Sequence, residues 1–135
     1  MRLWHYKLIP YLPKDMLVSQ WRECIAIKRQ WEKGTLKHRL VNYVMSYSRE
    51  YFLQYVQQVV RELDKRNIKY QEKYYQEIDK FCWEDEMCFH PCDYLEHNDR
   101  YLKQCLYNLQ EKADRGIVSN AEWKLIENKF KEELK

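Results

Sequence analysis

Residues that make tight turns are scarce in this sequence. Its 135 residues include only 2 glycines and 3 prolines. A β-sandwich needs many turns, and a Rossmann or P-loop nucleotide site needs a glycine-rich loop, so the sequence disfavours both classes. Long helices with few connections are the expected architecture.

The composition is that of a folded domain without a membrane span. Hydrophobic residues make up 45% of the chain and aromatic residues 16%, which is enough for a buried core. No run of apolar residues approaches the roughly 18 that a transmembrane helix needs. The segment Met1–His5 lacks the apolar stretch and small-residue cleavage site of a secretion signal. We therefore expect a cytoplasmic protein whose five cysteines are reduced, with residues 1–135 forming a single domain.

Amphipathic periodicity predicts an all-α fold of three to four main helices. The second predicted helix is long, and we expect a bend or break near Ser46. An irregular acidic connection over residues 68–97 is expected to hold at most one short helix, around residues 71–82. The predicted main helices are 13–30 (ended by Gly34), 36–66, 98–115 (capped by Asn98 or Asp99 and ended by Gly116), and one that begins at the capping box Ser119–Glu122.

Charge is unevenly distributed along the chain. Residues 1–40 carry nine Lys or Arg against three acidic residues, whereas residues 71–99 carry nine acidic residues and two lysines. A basic N-terminal third suits a polyanion such as nucleic acid. Ordinary clustering of charge on a solvated surface is the alternative.

Five cysteines and histidines lie close together in the acidic connection. They are Cys82, Cys88, His90, Cys92 and His97. Zinc sites require four ligands and commonly use two short-spaced pairs, a spacing that this cluster does not match. We expect reduced cysteines and partly buried histidines here rather than a metal, and no cofactor, although a structural metal remains the alternative.

The pair Arg22-Glu23 lies within the first predicted helix. Adjacent helical residues point about 100° apart, so both side chains can border one groove. A solvent-facing glutamate without a function is the alternative reading of this pair.

Several stretches together resemble one enzyme family. Met1-Arg2-Leu3-Trp4-His5, then Leu8-Ile9 and Leu12, and then Arg22-Glu23 resemble the phage-type pyrimidine-dimer DNA glycosylase/AP lyase family and its bacterial relatives. The stretch 40–70 is similar to that family's long second helix. The resemblance covers about the first half of the chain and fades beyond residue 70.

The resemblance implies an all-α enzyme that acts on damaged double-stranded DNA. In this family an N-terminal α-amine attacks the sugar C1′, an imine forms, and β-elimination cuts the strand. It implies Glu23 as the acidic residue that stabilises the transition state and assists proton transfer. An unperturbed α-amine has a pKa of about 7.7–8.0, against about 10.4 for lysine, so a useful fraction of it is the free nucleophile at neutral pH.

Two departures from the phage enzyme affect the site. That enzyme loses its initiator Met and exposes a Thr amine, whereas residue 2 here is Arg, which normally leaves Met1 in place. We therefore expect Met1 to supply the amine, with Arg2 as the alternative by position. Ala26 stands where the phage enzyme has an Arg that contacts DNA. The residues expected to contact DNA are Arg2, His5, Arg22, Lys28, Arg29 and, as the basic residue of the third main helix, Lys112.

The sequence is also compatible with two other functions. The first is a non-catalytic member of the same fold that binds DNA or a protein, which the departures at Arg2 and Ala26 motivate. The second is a metal-binding regulatory module that uses the cluster over residues 82–97. We expect no membrane association and favour a monomer.

Overall fold

Helices and their connections make up the entire chain. The computed structural model describes residues 1–135 and contains no β-strand. A 3-10 helix (Tyr6–Tyr11) follows an extended N-terminal segment, and a second (Asn42–Ser46) precedes the second α-helix. The α-helices are α1 (Lys14–Lys33), α2 (Arg49–Lys65), α3 (Glu72–Trp83), α4 (Asp99–Asp114) and α5 (Asn120–Lys129). The all-α prediction is confirmed, and α3 is the short helix expected within the acidic connection.

Local capping chemistry fixes the helix ends where the sequence predicts them. Gly34 ends α1 in the left-handed conformation with φ 73°, which favours a residue without a Cβ atom. The Asn98 side chain accepts a hydrogen bond from the Tyr101 N–H at the start of α4. Ser119 and Glu122 form the predicted capping box of α5.

The segment between α1 and the second 3-10 helix is not helical, contrary to the prediction of a helix from residue 36. Leu36, Leu40 and Val44 recur every four residues, which is typical of a helical face. In the structure Leu36 and Val44 are buried, but Leu40 is 50% exposed, and the adjacent Val41 is buried instead. The predicted break near Ser46 is confirmed, since α2 begins after Ser48.

Helix α2 lies at the centre of the fold. It packs against α1, α3 and both 3-10 helices, while α4 packs against α5. Helix α2 carries an apolar stripe that is fully buried and belongs to one core of 31 residues. The stripe comprises Phe52, Val56, Val59 and Leu63. No helix combines the length and the apolar content needed to cross a bilayer.

Two polar side chains of α2 hold the part of the acidic connection that follows α3. The Glu50 carboxylate accepts the backbone N–H groups of Cys88 and Phe89, and these hydrogen bonds lower the pKa of Glu50. One turn later, Gln54 accepts the Cys92 N–H at 2.8 Å and donates to the His90 carbonyl at 2.7 Å. The irregular connection is therefore fixed to the helical core by hydrogen bonds.

Candidate functional site

The extended N-terminal segment is tied to the first turns of α1 by one amide side chain. The Trp4 N–H donates to Oε1 of Gln20 at 2.8 Å, and Nε2 of Gln20 donates to the Arg2 carbonyl at 2.9 Å. Gln20 is 1% exposed, so both hydrogen bonds are shielded from water. Gln20 thereby fixes the chain immediately after Met1 against the helix that carries Glu23.

Two tyrosine hydroxyls hold the same segment from other helices. The Tyr55 hydroxyl of α2 donates to the Trp4 carbonyl at 2.6 Å, and the Tyr101 hydroxyl of α4 donates to the Leu3 carbonyl at 2.5 Å. Burial raises the pKa of both phenols, so they remain protonated donors at neutral pH. Three helices thus position the beginning of the chain.

The carboxylate of Glu23 is oriented by two N–H donors. Its Oε2 accepts from Nε2 of Gln20 at 3.2 Å and from the backbone N–H of Arg2 at 3.4 Å. Oε1 accepts no hydrogen bond from the protein, and the residue is half-buried. One oxygen therefore fixes the carboxylate while the other stays available to a ligand.

Glu23 lines a pocket of about 280 Å³ that contains two basic side chains and the first residue of the chain. Arg2 and Lys112 supply the basic side chains, Met1 is the first residue, and Glu23 is the acidic residue of the lining. The Arg2 guanidinium also lies over the Trp4 ring, 5.5 Å from its centroid. The lining residues are Met1, Arg2, Trp4, Glu23, Leu40, Asn108 and Lys112.

A larger open depression elsewhere has the wrong charge for a phosphate. It has a volume of about 450 Å³ and contains Asp64 and Glu72 against a single lysine, Lys69. Its acidic residues would repel a polyanion. The smaller pocket, with Arg2 and Lys112 against Glu23, has the charge that suits a phosphate.

The structure brings four of the predicted site residues together and leaves four outside the pocket. Met1, Arg2, Glu23 and Lys112 line it. Arg22 and Arg29 are exposed on α1, and the Arg29 guanidinium lies 5.2 Å from the centroid of the Tyr74 ring. Lys28 is largely buried and pairs with Glu32 at 3.0 Å, so its ammonium already has a partner.

His5 is not at the surface, where a DNA contact would require it. It is 1% exposed, and its Nδ1 accepts the Lys7 N–H at 3.2 Å, which caps the first 3-10 helix. Its ring stacks on Tyr6 and His97, with centroids 4.7 and 5.4 Å away. Burial lowers the pKa of His5, which favours the neutral imidazole.

The cysteines and histidines of the acidic connection are dispersed. Nδ1 of His90 lies 3.6 Å from Sγ of Cys92, but His97 instead pairs with the Tyr43 hydroxyl at 2.7 Å. Cys88 is exposed, and all five cysteines of the chain are free thiols. The structure contains no group of three or more His, Cys, Asp or Glu side chains arranged to hold a metal ion.

Comparison with known proteins identifies the family. A family model described as pyrimidine dimer DNA glycosylase matches residues 1–76, more than half of the chain. The chain belongs to the pyrimidine dimer DNA glycosylase family. The match begins with the N-terminal segment, covers α1 and α2 and ends within α3. As a member of this family, the protein is a DNA-repair glycosylase at the family level. No curated protein and no solved structure matches the chain.

The site contains residues that sequence reasoning missed. Gln20, Tyr55 and Tyr101 position the N-terminal segment, and Leu40 and Asn108 line the pocket. Gln20 precedes Glu23 by three residues, which places both on one face of a helix, and that spacing is the one available signal. The tyrosines act across 51 and 98 residues of sequence, so no local pattern reveals them.

Proposed function

We propose that the protein is a DNA glycosylase/AP lyase that acts on pyrimidine-dimer or abasic sites in duplex DNA through an imine formed by the α-amine of Met1. The observation that carries this proposal is the placement of Met1 and Glu23 in one basic pocket. The backbone N–H of Arg2 lies 3.4 Å from Oε2 of Glu23. Since consecutive residues are about 3.8 Å apart, the Met1 nitrogen lies within about 7 Å of that carboxylate.

The first chemical step is attack of the neutral amine on C1′ of the damaged nucleotide. A bond forms between the amine nitrogen and C1′, and the bond from C1′ to the base breaks, with its electron pair leaving on the base. At an abasic site C1′ carries a hydroxyl group instead of a base, and this hydroxyl leaves as water. The nitrogen then loses a proton and forms a double bond to C1′. The bond between C1′ and the ring oxygen O4′ breaks, O4′ keeps the electron pair and takes up a proton, and a protonated imine remains.

Glu23 supports this step in two ways. A fixed carboxylate stabilises the positive charge that develops on the sugar in the transition state. Its free oxygen also accepts the proton released by the amine and returns it to the departing oxygen. The two N–H donors on Oε2 hold the group in one orientation, which is a form of electrostatic preorganisation.

Strand cleavage follows from the protonated imine. A base removes a proton from C2′, and the electrons expel the 3′ phosphate, which breaks the bond between C3′ and oxygen. Hydrolysis of the remaining imine frees the Met1 amine. Glu23 is the acidic residue in this pocket able to act as that base.

Four of the six predicted DNA contacts act on the DNA backbone in this proposal. Arg2 and Lys112 lie in the pocket and bind phosphates next to the lesion, while Arg22 and Arg29 bind phosphates further along α1. Lys112 belongs to α4, beyond the matched residues 1–76, so the second half of the chain completes the site. This supports a single functional domain over residues 1–135. In this proposal the domain acts as a monomer in the cytoplasm.

Borohydride trapping tests the proposal. Borohydride reduces an imine to a stable amine, so wild-type protein is expected to form a covalent adduct with a duplex that contains an abasic site or a pyrimidine dimer. Glu23→Gln is expected to lose the adduct. A protein that binds these duplexes in a salt-sensitive way without forming any adduct would instead be a non-catalytic DNA-binding member of the family.

A further inference from the structure

One large apolar side chain that lines the basic pocket is exposed to solvent. Leu40 is 50% exposed and lines the pocket together with Met1 and Glu23. Seven other large apolar residues of the chain are exposed to 42% or more, and none of them lines this pocket. Of the three apolar residues that line the pocket, Leu40 is the most exposed, because Met1 is half-buried and Trp4 is buried.

The loop that carries Leu40 is held in place at both ends. Leu36 and Val41 are buried in the core on either side of it. The Leu40 N–H donates to Nδ1 of His38 at 3.2 Å, and the His38 carbonyl accepts the Val41 N–H at 3.1 Å. A hydrogen-bonded turn therefore holds Leu40 in its exposed position.

The exposed residues of this turn complement DNA in charge. Lys37 and Arg39 precede Leu40 in the same segment and are exposed, and no acidic residue lies between residues 33 and 49. An exposed leucine next to two cations suits a duplex, in which stacked bases lie between two phosphate backbones. Proteins that kink DNA insert apolar side chains of this kind between base steps.

We infer that Leu40 inserts into the base stack of duplex DNA beside the damaged nucleotide, with Lys37 and Arg39 bound to the flanking phosphates. This inference rests on the proposed function, because an amine in the pocket reaches C1′ of a duplex only if the local stack opens. Insertion of Leu40 fills the gap that the displaced nucleotide leaves and replaces part of the lost stacking.

Trapping on two forms of the same abasic oligonucleotide tests the inference. Reaction at an abasic site in a duplex requires the base stack to open, whereas reaction in a single strand does not. Leu40→Ala is expected to slow borohydride trapping on the duplex by about tenfold to a hundredfold, because the substitution removes most of the apolar surface that inserts into the base stack. Trapping on the single strand is expected to stay at the wild-type rate. Leu40→Phe, which keeps a large apolar side chain, is expected to retain most of the duplex rate.

Leu125→Ala is the matched control. Leu125 is 69% exposed on α5 and lies outside the pocket, so its truncation is expected to change neither rate. An unchanged rate for Leu40→Ala on the duplex would overturn the inference. An equal loss on duplex and single strand would also overturn it, because that result assigns Leu40 to the chemical step.

A binding measurement separates this inference from the proposed chemistry. A 2-aminopurine base next to the abasic site brightens when it loses its stacking partner. Wild-type protein is expected to raise its fluorescence in the duplex, and Leu40→Ala is expected to remove most of that rise at saturating protein. A rise that does not depend on residue 40 would overturn the inference. Absence of any trapped adduct with wild-type protein would overturn the imine chemistry, while a Leu40-dependent rise would still support insertion.

Discussion

The backbone N–H of Arg2 donates to Oε2 of Glu23, with 3.4 Å between the two atoms. This contact joins the beginning of the chain to a carboxylate 21 residues away, and Gln20 supports it by binding both partners. Met1 and Glu23 line the same pocket. The proposed imine chemistry at a sugar carbon requires a primary amine beside an oriented carboxylate.

Glu23→Gln tests the carboxylate itself. The amide keeps the size of the side chain but cannot accept a proton or stabilise a cationic sugar. We expect strand cleavage at an abasic site to fall by about a hundredfold or more, with DNA affinity retained. Single-turnover cleavage and fluorescence anisotropy measure the two effects. Glu127→Gln, at an exposed position of α5, is the control, and equal activity of both variants would contradict the assignment.

Gln20→Ala tests the positioning of the N-terminal segment. The substitution leaves the buried Trp4 N–H and the Arg2 carbonyl without their partner. We expect a loss of about 1–3 kcal/mol in the free energy of unfolding, together with slower cleavage. Urea denaturation measures the first effect. Gln76→Ala, exposed on α3, is expected to change neither quantity. Unaltered cleavage by Gln20→Ala would show that the segment needs no such anchor.

Tyr101→Phe tests the contact between α4 and the N-terminal segment. It removes the hydroxyl that binds the Leu3 carbonyl and keeps the ring in place. We expect a loss of about 1 kcal/mol in the free energy of unfolding, which thermal unfolding detects. Tyr107→Phe, on the same helix at a half-exposed position, controls for the substitution. The same melting temperature for both variants would argue against the role of this hydrogen bond.

Lys112→Ala tests whether the pocket binds a phosphate. We expect weaker binding to duplex DNA and a decrease of about 1 in the slope of log affinity against log salt concentration. Lys124→Ala, exposed on α5, is expected to leave the slope at the wild-type value. Equal slopes for wild type and Lys112→Ala would place the phosphate elsewhere.

The buried histidines predict a loss of stability on mild acidification. Burial, followed by the charge of His5, lowers the pKa of His97 to about 3. Between pH 6.5 and that value the unfolded chain binds a proton that the folded chain does not, so stability rises with pH in this window. We expect His97 alone to reduce the free energy of unfolding by about 1.4 kcal/mol for each pH unit below 6.5.

Denaturation of His97→Gln over the same pH range checks this prediction. Its stability is expected to depend less steeply on pH between 4.5 and 6.5 than that of wild type. The lowered pKa values of Glu50 and Asp85 also cost stability in acid, but in a window below their ordinary values of 4.5 and 3.8. Identical pH dependence of wild type and variant would contradict the neutral state assigned to His97.

Local sequence signals predicted the helices well because those signals act within a few residues. The left-handed glycine at the end of α1 and the capping box of α5 are such signals. The segment around Leu40 was mispredicted because a four-residue apolar spacing does not show which residues face the core. Burial of Val41 in place of Leu40 is decided by the surrounding helices.

The site was predictable only in part. The family resemblance pointed to Met1, Glu23 and Lys112, and these residues share the pocket. The supports of the N-terminal segment, Tyr55 and Tyr101, could not be predicted, because their hydrogen bonds join distant parts of the sequence. Burial of His5 was equally hidden, since it depends on rings such as His97 in the acidic connection.

Mass mapping of the borohydride-trapped adduct tests the central claim most directly. Wild-type protein is reacted with an abasic duplex, reduced and digested, and the modified peptide is sequenced by mass spectrometry. The account predicts a sugar adduct on the α-amine of Met1, and no adduct when that amine is acetylated beforehand. An adduct on a lysine side chain, or no adduct with a protein that binds the duplex and carries a free Met1 amine, would contradict it.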